Sequence, residues 1–214
     1  MAVKFIEKID RGLIGFWEIT ETAAQLMELL NPGNDELKNF LHYRNEMRKK
    51  EWLAVRLLLQ QMTGKSSKIS YDAAGKPLLV NIPGHISISH SSNCAVIYFH
   101  PELNPGIDIE SISRNVERAA RKFLSEKELK DCTVGNQLSN KDLLLRWCAK
   151  EAVYKMVPFS DIDFASQIVC TTCPVISDAG ELEVTFTADI TSLNIHLNYR
   201  IIDGILMVWG TLEL

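Results

Sequence analysis

The sequence lacks any long uninterrupted hydrophobic segment. Its longest apolar runs are Leu57–Leu59 and the stretch from Ile201 to Val208, which Asp203 and Gly204 interrupt. A transmembrane helix needs about 20 mostly apolar residues in a row, so the sequence predicts no membrane span. Charged side chains are spread through the first residues, which therefore do not resemble a signal peptide. We expect a cytoplasmic protein.

The sequence also lacks a regular cysteine framework and an excess of positive charge. The five cysteines are scattered, and Cys170 and Cys173 form a CxxC pair without a second CxxC or a His pair. This pattern favours reduced, structural thiols over disulfides or a zinc site. The formal net charge of −4 argues against bulk electrostatic binding to nucleic acid or to an anionic membrane.

No low-complexity tract or linker is present, but the pattern of elements starts again near Asn104. The 214 residues, 46% of them hydrophobic, suffice for one large domain or two small ones with a core. Each half contains a strand, then helices, then a run of strands, an order typical of α+β proteins. We predict two similar α+β subdomains in a pseudo-twofold arrangement, residues 1–104 and 105–214.

Hydrophobic periodicity and turn residues set the predicted elements. The predicted helices cover about 21–30, 35–62, 115–124 and 141–156, and a further helix begins at Ser125 with Glu128 completing a capping box. The predicted strands cover about 13–19, 68–71, 86–89, 94–99, 106–110, 181–186, 193–202 and 205–212. Asp203-Gly204 indicates a two-residue hairpin between the last two strands.

Two stretches of the second half suit metal and phosphate chemistry. Asp108 and Glu110 are two residues apart on a predicted strand and therefore share a face. Trp147, Glu151 and Lys155 form one stripe of a predicted helix. If strand and helix meet, three carboxylates and a lysine converge, a set suited to a divalent cation and a phosphate. Taken separately, each stretch also has a structural explanation: solvated acids at a strand end for the first, and a surface ion pair on a helix for the second.

The first half contains further candidate phosphate contacts. Arg56 lies among apolar residues and can reach an anion from a half-buried position. Lys76 lies in a turn, and His90 ends a strand of alternating Ile and Ser. Each has a structural explanation as well, as a turn residue or a solvated cation. The sequence does not distinguish which residue of the basic run from Arg44 to Lys50 contacts phosphate.

A further basic group follows the Asp108 strand. Arg114, Arg118, Arg121 and Lys122 have helical spacing and predict a cationic stripe. In a protein of net negative charge, such a stripe suggests docking of an acidic partner, although an exposed basic face has the same pattern.

In combination, these stretches resemble a known family. Gly106-Ile107-Asp108-Ile109-Glu110 and Trp147-x-x-Lys150-Glu151-Ala152-x-x-Lys155 resemble the paired GxDxE and WxxKEAxxK signatures of the 4′-phosphopantetheinyl transferases. Gly75-Lys76-Pro77 and Ile88-Ser89-His90-Ser91 look like that family's coenzyme A contacts, and Arg56 also fits. The resemblance covers roughly residues 44–155. The chain length is similar to that of the surfactin-synthetase-activating, pseudo-dimeric class.

The resemblance implies a reaction: the phosphopantetheine arm of coenzyme A passes to a serine of an apo acyl or peptidyl carrier protein, and 3′,5′-ADP is released. It implies Asp108, Glu110 and Glu151 as ligands of Mg²⁺, or of Mn²⁺. Glu151 and Lys155 are then the catalytic residues, as base and as cation for the departing phosphate.

The resemblance also implies binding sites. Residues 1–104 are expected to form the coenzyme A half and 105–214 the metal-binding and catalytic half. The implied coenzyme A contacts are Arg56, Gly75, Lys76, Pro77, Ser89, His90 and Lys155. Arg114, Arg118 and Arg121 are the implied carrier-docking residues. We expect a monomer, with Cys148 as a packing residue. A metal-dependent nucleotide phosphohydrolase and a non-catalytic coenzyme A or carrier-binding module are the alternatives.

Overall fold

The computed structural model describes residues 3–33, 37, 40–66, 68–134, 137–172 and 176–213. The chain divides into two compact units, Met1–Glu102 and Leu103–Leu214. Each unit combines helices with an antiparallel sheet, which confirms the α+β fold class. The pseudo-twofold arrangement stays a prediction. No helix among the described residues has both the length and the apolar character needed to cross a membrane.

The first unit is built on a four-stranded sheet with strand order β1-β2-β6-β5. Strands β3 and β4 form a separate hairpin. The elements are β1 (Val3–Ile9), β2 (Gly12–Glu18), α1 (Ala23–Leu30), α2 (Glu46–Thr63), β3 (Ile69–Tyr71), β4 (Pro77–Leu79), β5 (His85–Ser91) and β6 (Cys94–His100). Sequence reasoning missed β1, an edge strand whose residues alternate between exposed and half-buried, because charged side chains interrupt its apolar pattern.

Helix α2 packs against β2 and β6 and supplies much of the first core. Leu53, Leu58 and Leu59 are fully buried in this cluster. A Cβ atom at Gly15 would lie 2.5 Å from the Met62 sulfur and 2.9 Å from Cδ1 of Leu58, so a larger residue would force these side chains of the helix to shift. This packing fixes the position of the residues that α2 presents on its other sides.

Helix α2 begins later than the sequence suggests, and the prediction of one helix over 35–62 is wrong. The Asn45 side chain accepts hydrogen bonds from the backbone N–H groups of Met47 at 2.8 Å and Arg48 at 3.2 Å. It therefore caps a new helix that starts at Glu46. Residues 42–45 are not helical, and residues 34–36, 38 and 39 lie outside the described residues.

The second unit is built on a five-stranded sheet with strand order β10-β11-β12-β13-β7. The turn residues Asp203 and Gly204 have φ values of 47° and 77°, which confirms the predicted hairpin. The elements are β7 (Asn104–Ser111), a 3-10 helix (Glu117–Ala119), α3 (Ala120–Phe123), α4 (Glu126–Asp131), β8 (Thr133–Val134), β9 (Gln137–Leu138), α5 (Asn140–Met156), α6 (Phe164–Gln167), β10 (Ile168–Cys170), β11 (Ala179–Ala188), β12 (Thr191–Ile202) and β13 (Ile205–Leu212).

The predicted helix over 115–124 is wrong in form. The chain instead makes the 3-10 helix followed by the single turn of α3. The N–H of Val116 donates to the Asn140 side chain at 3.2 Å, and the Asn115 side chain accepts from the N–H of Glu117 at 2.9 Å. These side-chain bonds satisfy N–H groups at the start of the 3-10 helix and connect it to Asn140, the first residue of α5. The capping box of Ser125 and Glu128 is confirmed.

Helix α5 lies across β7 and β13, and glycine makes this contact possible. A Cβ atom at Gly106 would collide with the carbonyl oxygen of Ala152 and would lie 2.5 Å from Cγ of Met156. Gly106 belongs to the first signature stretch and Ala152 to the second. Their small size lets the backbone of the helix rest directly on the strand that carries Asp108.

Candidate active site

Asp108 and Glu110 lie on the face of the sheet that α5 covers. In the antiparallel register Asp108 is opposite Val208 and Glu110 is opposite Leu206, two residues of the core beneath α5. Residues opposite each other in such a pair point to the same face. Both carboxylates are consequently buried, with 5% and 8% of their surface exposed.

Lys155 joins the two signature stretches directly. Its Nζ donates to Oδ1 of Asp108 at 2.7 Å and to the carbonyl oxygen of Ile107 at 2.9 Å. The side chain extends from the last turn of α5 to a residue that lies 47 positions earlier in the sequence. The ammonium group therefore holds the end of the helix against β7, next to a buried carboxylate.

Glu151 lies one helical turn before Lys155 and is half-buried. Burial raises the pKa of Glu151, and the nearby Asp108 carboxylate raises it further, against the opposing effects of Lys155 and Arg114. A carboxylate whose pKa is raised toward the working pH is a better proton acceptor than an exposed one. The direction of this shift agrees with the predicted role of Glu151 as the base, which stays a prediction.

Arg114 forms an ion pair with Glu110. Its guanidinium carbon also lies 5.5 Å from the centre of the Trp147 ring. Arg118 and Arg121 are exposed and belong to the 3-10 helix and to α3. Because Arg114 precedes both elements, the three arginines do not form the regular helical stripe that their spacing predicts.

Two of the three predicted metal ligands are paired with cationic side chains in this structure, Asp108 with Lys155 and Glu110 with Arg114. Among the residues that the structure describes, no group of three or more His, Cys, Asp or Glu side chains is arranged to hold a metal ion. Their chemistry nevertheless fits Mg²⁺, which takes oxygen ligands. Burial, and secondly repulsion by the Asp108 carboxylate, raises the pKa of Glu151, and a divalent cation would relieve that repulsion. The ligand set of Asp108, Glu110 and Glu151 stays a prediction.

Lys150, a residue of the second signature stretch, is buried, and its burial and partners were not predicted from the sequence. Lys150 has no exposed surface, and its Nζ donates to Oε2 of Glu128 at 2.9 Å and to the carbonyl oxygen of Phe164 at 2.8 Å. It also donates to the carbonyl oxygen of Ile168. Burial lowers the pKa of Lys150, and the Glu128 carboxylate opposes this effect. This residue of the signature helix is an internal anchor between α4, α5 and α6.

Glu128 combines several roles in this network. Its Oε2 accepts hydrogen bonds from the N–H and the hydroxyl of Ser125, and its Oε1 accepts from the N–H of Cys170 at 3.0 Å. Arg146, which is 1% exposed, lies 3.7 Å from Oε1. The Ser-x-x-Glu pattern revealed the cap, but no sequence pattern indicated the pairing with Lys150.

The cysteines are consistent with structural thiols. Cys94, Cys132, Cys148 and Cys170 are buried and form no disulfide with one another. Burial, and secondly the Asp108 carboxylate, raises the pKa of Cys148 well above its usual value. Such thiols are poor nucleophiles. Cys173 lies outside the described residues.

The first unit contains a cavity of about 300 Å³ between α2, β3 and β5. Two arginines, a histidine and three aromatic rings contribute to its wall, a combination suited to a phosphorylated aromatic ligand. The lining residues are Tyr43, Arg48, Glu51, Trp52, Val55, Arg56, Tyr71, Ile88 and His90.

Arg56 is more buried than the sequence suggests. It is 4% exposed, and its guanidinium carbon lies 3.5 Å from the centre of the Trp52 ring. Its Nη1 donates to the Trp52 carbonyl oxygen at 3.2 Å. Stacking on Trp52 therefore fixes the guanidinium orientation at the cavity wall.

Arg48 and His90 meet at the same cavity. Nη1 of Arg48 lies 2.9 Å from Nε2 of His90 and 2.9 Å from Oε2 of Glu51. Of the basic run from Arg44 to Lys50, Arg48 is thus the member that reaches this wall. Its role was invisible in the sequence, because the spacing of the run does not tell which side of α2 faces β5.

The remaining predicted coenzyme A contacts of the first unit do not line this cavity, as far as the described residues show. Gly75, with φ of 83°, and Lys76 follow Asp72, whose side chain accepts from the Lys76 N–H at 2.8 Å and holds the turn before Pro77. Burial lowers the pKa of Lys76, and Asp72 opposes this. Ser89 is buried on the opposite face of β5 from His90, because neighbouring strand residues alternate.

Residues 104–198 match the family model of the 4′-phosphopantetheinyl transferase superfamily. The match lies within the second unit and contains both signature stretches, with Asp108 and Glu110 on β7 and Glu151 and Lys155 on α5. It supports a transferase. No curated protein matches the chain.

Proposed function

We propose that this protein transfers the 4′-phosphopantetheine arm of coenzyme A to a serine of an apo acyl or peptidyl carrier protein. The observation that carries the proposal is the junction of the two signature stretches. The Asp108–Lys155 ion pair joins them, and Glu151 lies one turn away with a raised pKa. We assign metal binding and chemistry to the second unit.

We assign coenzyme A binding to the first unit. Its cavity presents Arg48, Arg56 and His90, cationic or proton-donating groups that suit phosphate, beside Tyr43 and Tyr71, whose rings suit an adenine base. Lys76 lies on a neighbouring turn and would contact a more exposed part of the ligand. Ser89 is buried on the face of β5 opposite His90.

Glu151 would act as the general base. It takes the proton of the carrier serine, whose oxygen forms a bond to the phosphorus that bears the pantetheine arm. The bond from that phosphorus to the bridging oxygen breaks, and 3′,5′-ADP leaves with that oxygen. Lys155 carries three N–H groups and directs two of them to Asp108 and Ile107 in the described part of the chain. Its positive charge would stabilise the leaving phosphate.

Asp108, Glu110 and Glu151 would hold Mg²⁺. The bound ion would supply positive charge to the pyrophosphate oxygens, as divalent ions do in phosphoryl transfer. Before binding, Lys155 and Arg114 neutralise Asp108 and Glu110. Release of Glu110 by Arg114 would open its carboxylate to the ion and free the guanidinium for an acidic partner.

The partner surface would include Arg118 and Arg121, which are exposed, with Arg114 at its edge. We further propose that the protein belongs to the surfactin-synthetase-activating, pseudo-dimeric class and acts as a monomer. Two units in one chain, each with an antiparallel sheet crossed by a long helix, support this.

The proposal is tested by incubating the protein with coenzyme A, Mg²⁺ and several unrelated apo carrier proteins, followed by mass spectrometry of each carrier. One phosphopantetheine adduct on the carrier serine is expected. Release of 3′,5′-ADP without an adduct would favour a phosphohydrolase instead. Binding of coenzyme A without any product would favour a non-catalytic module.

A further inference from the structure

Four aromatic rings form a continuous ridge along one side of α5, which we call the aromatic ridge: Phe123, Trp147, Phe164 and Tyr154. Ring centres are 5.1 Å apart for Phe123 and Trp147, 6.1 Å for Trp147 and Phe164, and 5.5 Å for Phe164 and Tyr154. Phe123 is buried, Trp147 and Phe164 are half-buried, and Tyr154 is 38% exposed. The ridge therefore begins in the core and ends in solvent.

The aromatic ridge passes beside the proposed base. Trp147 and Tyr154 stand four residues before and three residues after Glu151 on α5. Residues at these spacings lie on the same side of a helix. A polypeptide that brings a hydroxyl group to Glu151 would therefore lie next to the exposed end of the ridge.

The ridge is held in place before any partner arrives. The Phe164 carbonyl oxygen accepts from the buried Lys150 ammonium at 2.8 Å, and Lys150 is itself bonded to Glu128. This anchor fixes the start of α6 against α5. Preorganised rings lose little freedom on binding, which favours their use as contact points.

Positive charge lies beside the end of the ridge that Phe123 and Trp147 form. The Arg114 guanidinium carbon lies 5.5 Å from the centre of the Trp147 ring, and the one-turn helix α3 that supplies Phe123 also carries the exposed Arg121 and Lys122. The whole chain has a formal net charge of −4. Aromatic rings bordered by local cations on an acidic protein match an acidic polypeptide that presents an apolar side chain.

We propose that the aromatic ridge is the apolar part of the carrier-docking surface. It receives an apolar side chain next to the carrier's modified serine, while the cations beside Phe123 and Trp147 contact carrier carboxylates. This inference rests on the proposed function. The pantetheine arm of coenzyme A is uncharged and would form no ion pair with the neighbouring cations, so we assign the ridge to the carrier.

The test replaces Tyr154 with alanine and uses Phe159→Ala as the matched control. Phe159 is also 38% exposed, but its ring packs on Phe186, outside the aromatic ridge. Apo carrier binding to each purified protein is measured by calorimetry without coenzyme A, and KM for both substrates is measured in the transfer assay. Tyr154→Ala should raise the carrier Kd and KM by roughly tenfold, and Tyr154→Phe should restore them.

The outcomes separate the inference from the proposed function. Unchanged carrier Kd and KM in Tyr154→Ala, or an equal effect of Phe159→Ala, would overturn the inference. A raised KM for coenzyme A with an unchanged carrier KM would assign the ridge to the pantetheine arm and also overturn it. If analytical ultracentrifugation shows that Tyr154→Ala changes the oligomeric state, the ridge contacts a second copy of the chain, and the inference is overturned. If the parent transfers nothing, the proposed function fails, and carrier binding still tests the ridge.

Discussion

Replacing Lys150 with methionine tests the internal anchor beneath the site. The substitution roughly keeps the volume and removes the charge, leaving Glu128, which is 1% exposed, without the cation that donates to it at 2.9 Å. Removing one member of a buried pair typically costs about 3–5 kcal/mol. Arg146 lies 3.7 Å from the same carboxylate and retains part of the compensation, so we expect a loss near the lower end.

The expected loss converts into a measurable change in melting temperature. A protein of this size shifts by roughly 2–4 °C per kcal/mol, so Lys150→Met should melt roughly 6–12 °C lower by differential scanning calorimetry. The double variant Lys150→Met, Glu128→Gln removes both charges and should recover much of the loss.

The control is a surface pair. Lys49 lies 3.8 Å from Glu46 at the start of α2, and Lys49→Met should shift stability by at most about 1 kcal/mol because exposed pairs contribute little. Equal melting temperatures for Lys150→Met and Lys49→Met would refute the reasoning. So would a double variant less stable than Lys150→Met.

Further predictions concern other parts of the chain. Gly106→Ala should destabilise the protein by about 1–3 kcal/mol in urea unfolding, because the new methyl group collides with the Ala152 carbonyl oxygen; unchanged stability would contradict the contact. Arg48→Ala should raise KM for coenzyme A and spare KM for the carrier, and the reverse result would remove the cavity assignment. Arg118→Glu should raise carrier KM most at low salt, and a salt-independent value would remove the docking claim. Burial raises the pKa of Cys170 from 9.0 to about 12, so the folded protein retains a proton that the unfolded chain loses. Stability should therefore fall between about pH 9 and 12, and Cys170→Ala should flatten that fall; an unchanged slope would contradict it.

The second half was the more predictable part of the fold. Helix α5 runs over Asn140–Met156 and β13 over Ile205–Leu212, close to their predicted bounds, because strong periodicity coincides there with Pro158 and Asp203-Gly204 as end signals. The two wrong helix predictions lie where asparagine side chains bond to backbone N–H groups. Asn45 starts a helix within a run that looks uniformly helical, and Asn140 accepts a hydrogen bond from the Val116 N–H just before the 3-10 helix that forms in place of the predicted α-helix.

The candidate site was predictable where both partners lie in signature stretches. Asp108 and Lys155 are such a pair, and their ion pair follows from strand and helix spacing once the two elements pack together. Sequence patterns do not show tertiary partners outside these stretches. The bond between Lys150 and Glu128 spans 22 residues, and the meeting of Arg48 with His90 spans 42, so both required the structure.

The most direct test of the central claim measures two products together in a single reaction. With parent protein, coenzyme A, Mg²⁺ and an apo carrier, we expect one released 3′,5′-ADP for each phosphopantetheine attached to the carrier serine. Glu151→Gln should lower both rates together by orders of magnitude while keeping the melting temperature. The matched control Glu126→Gln, at an exposed carboxylate on α4, should retain both rates. Near-normal transfer by Glu151→Gln, or 3′,5′-ADP release without carrier modification, would contradict the account.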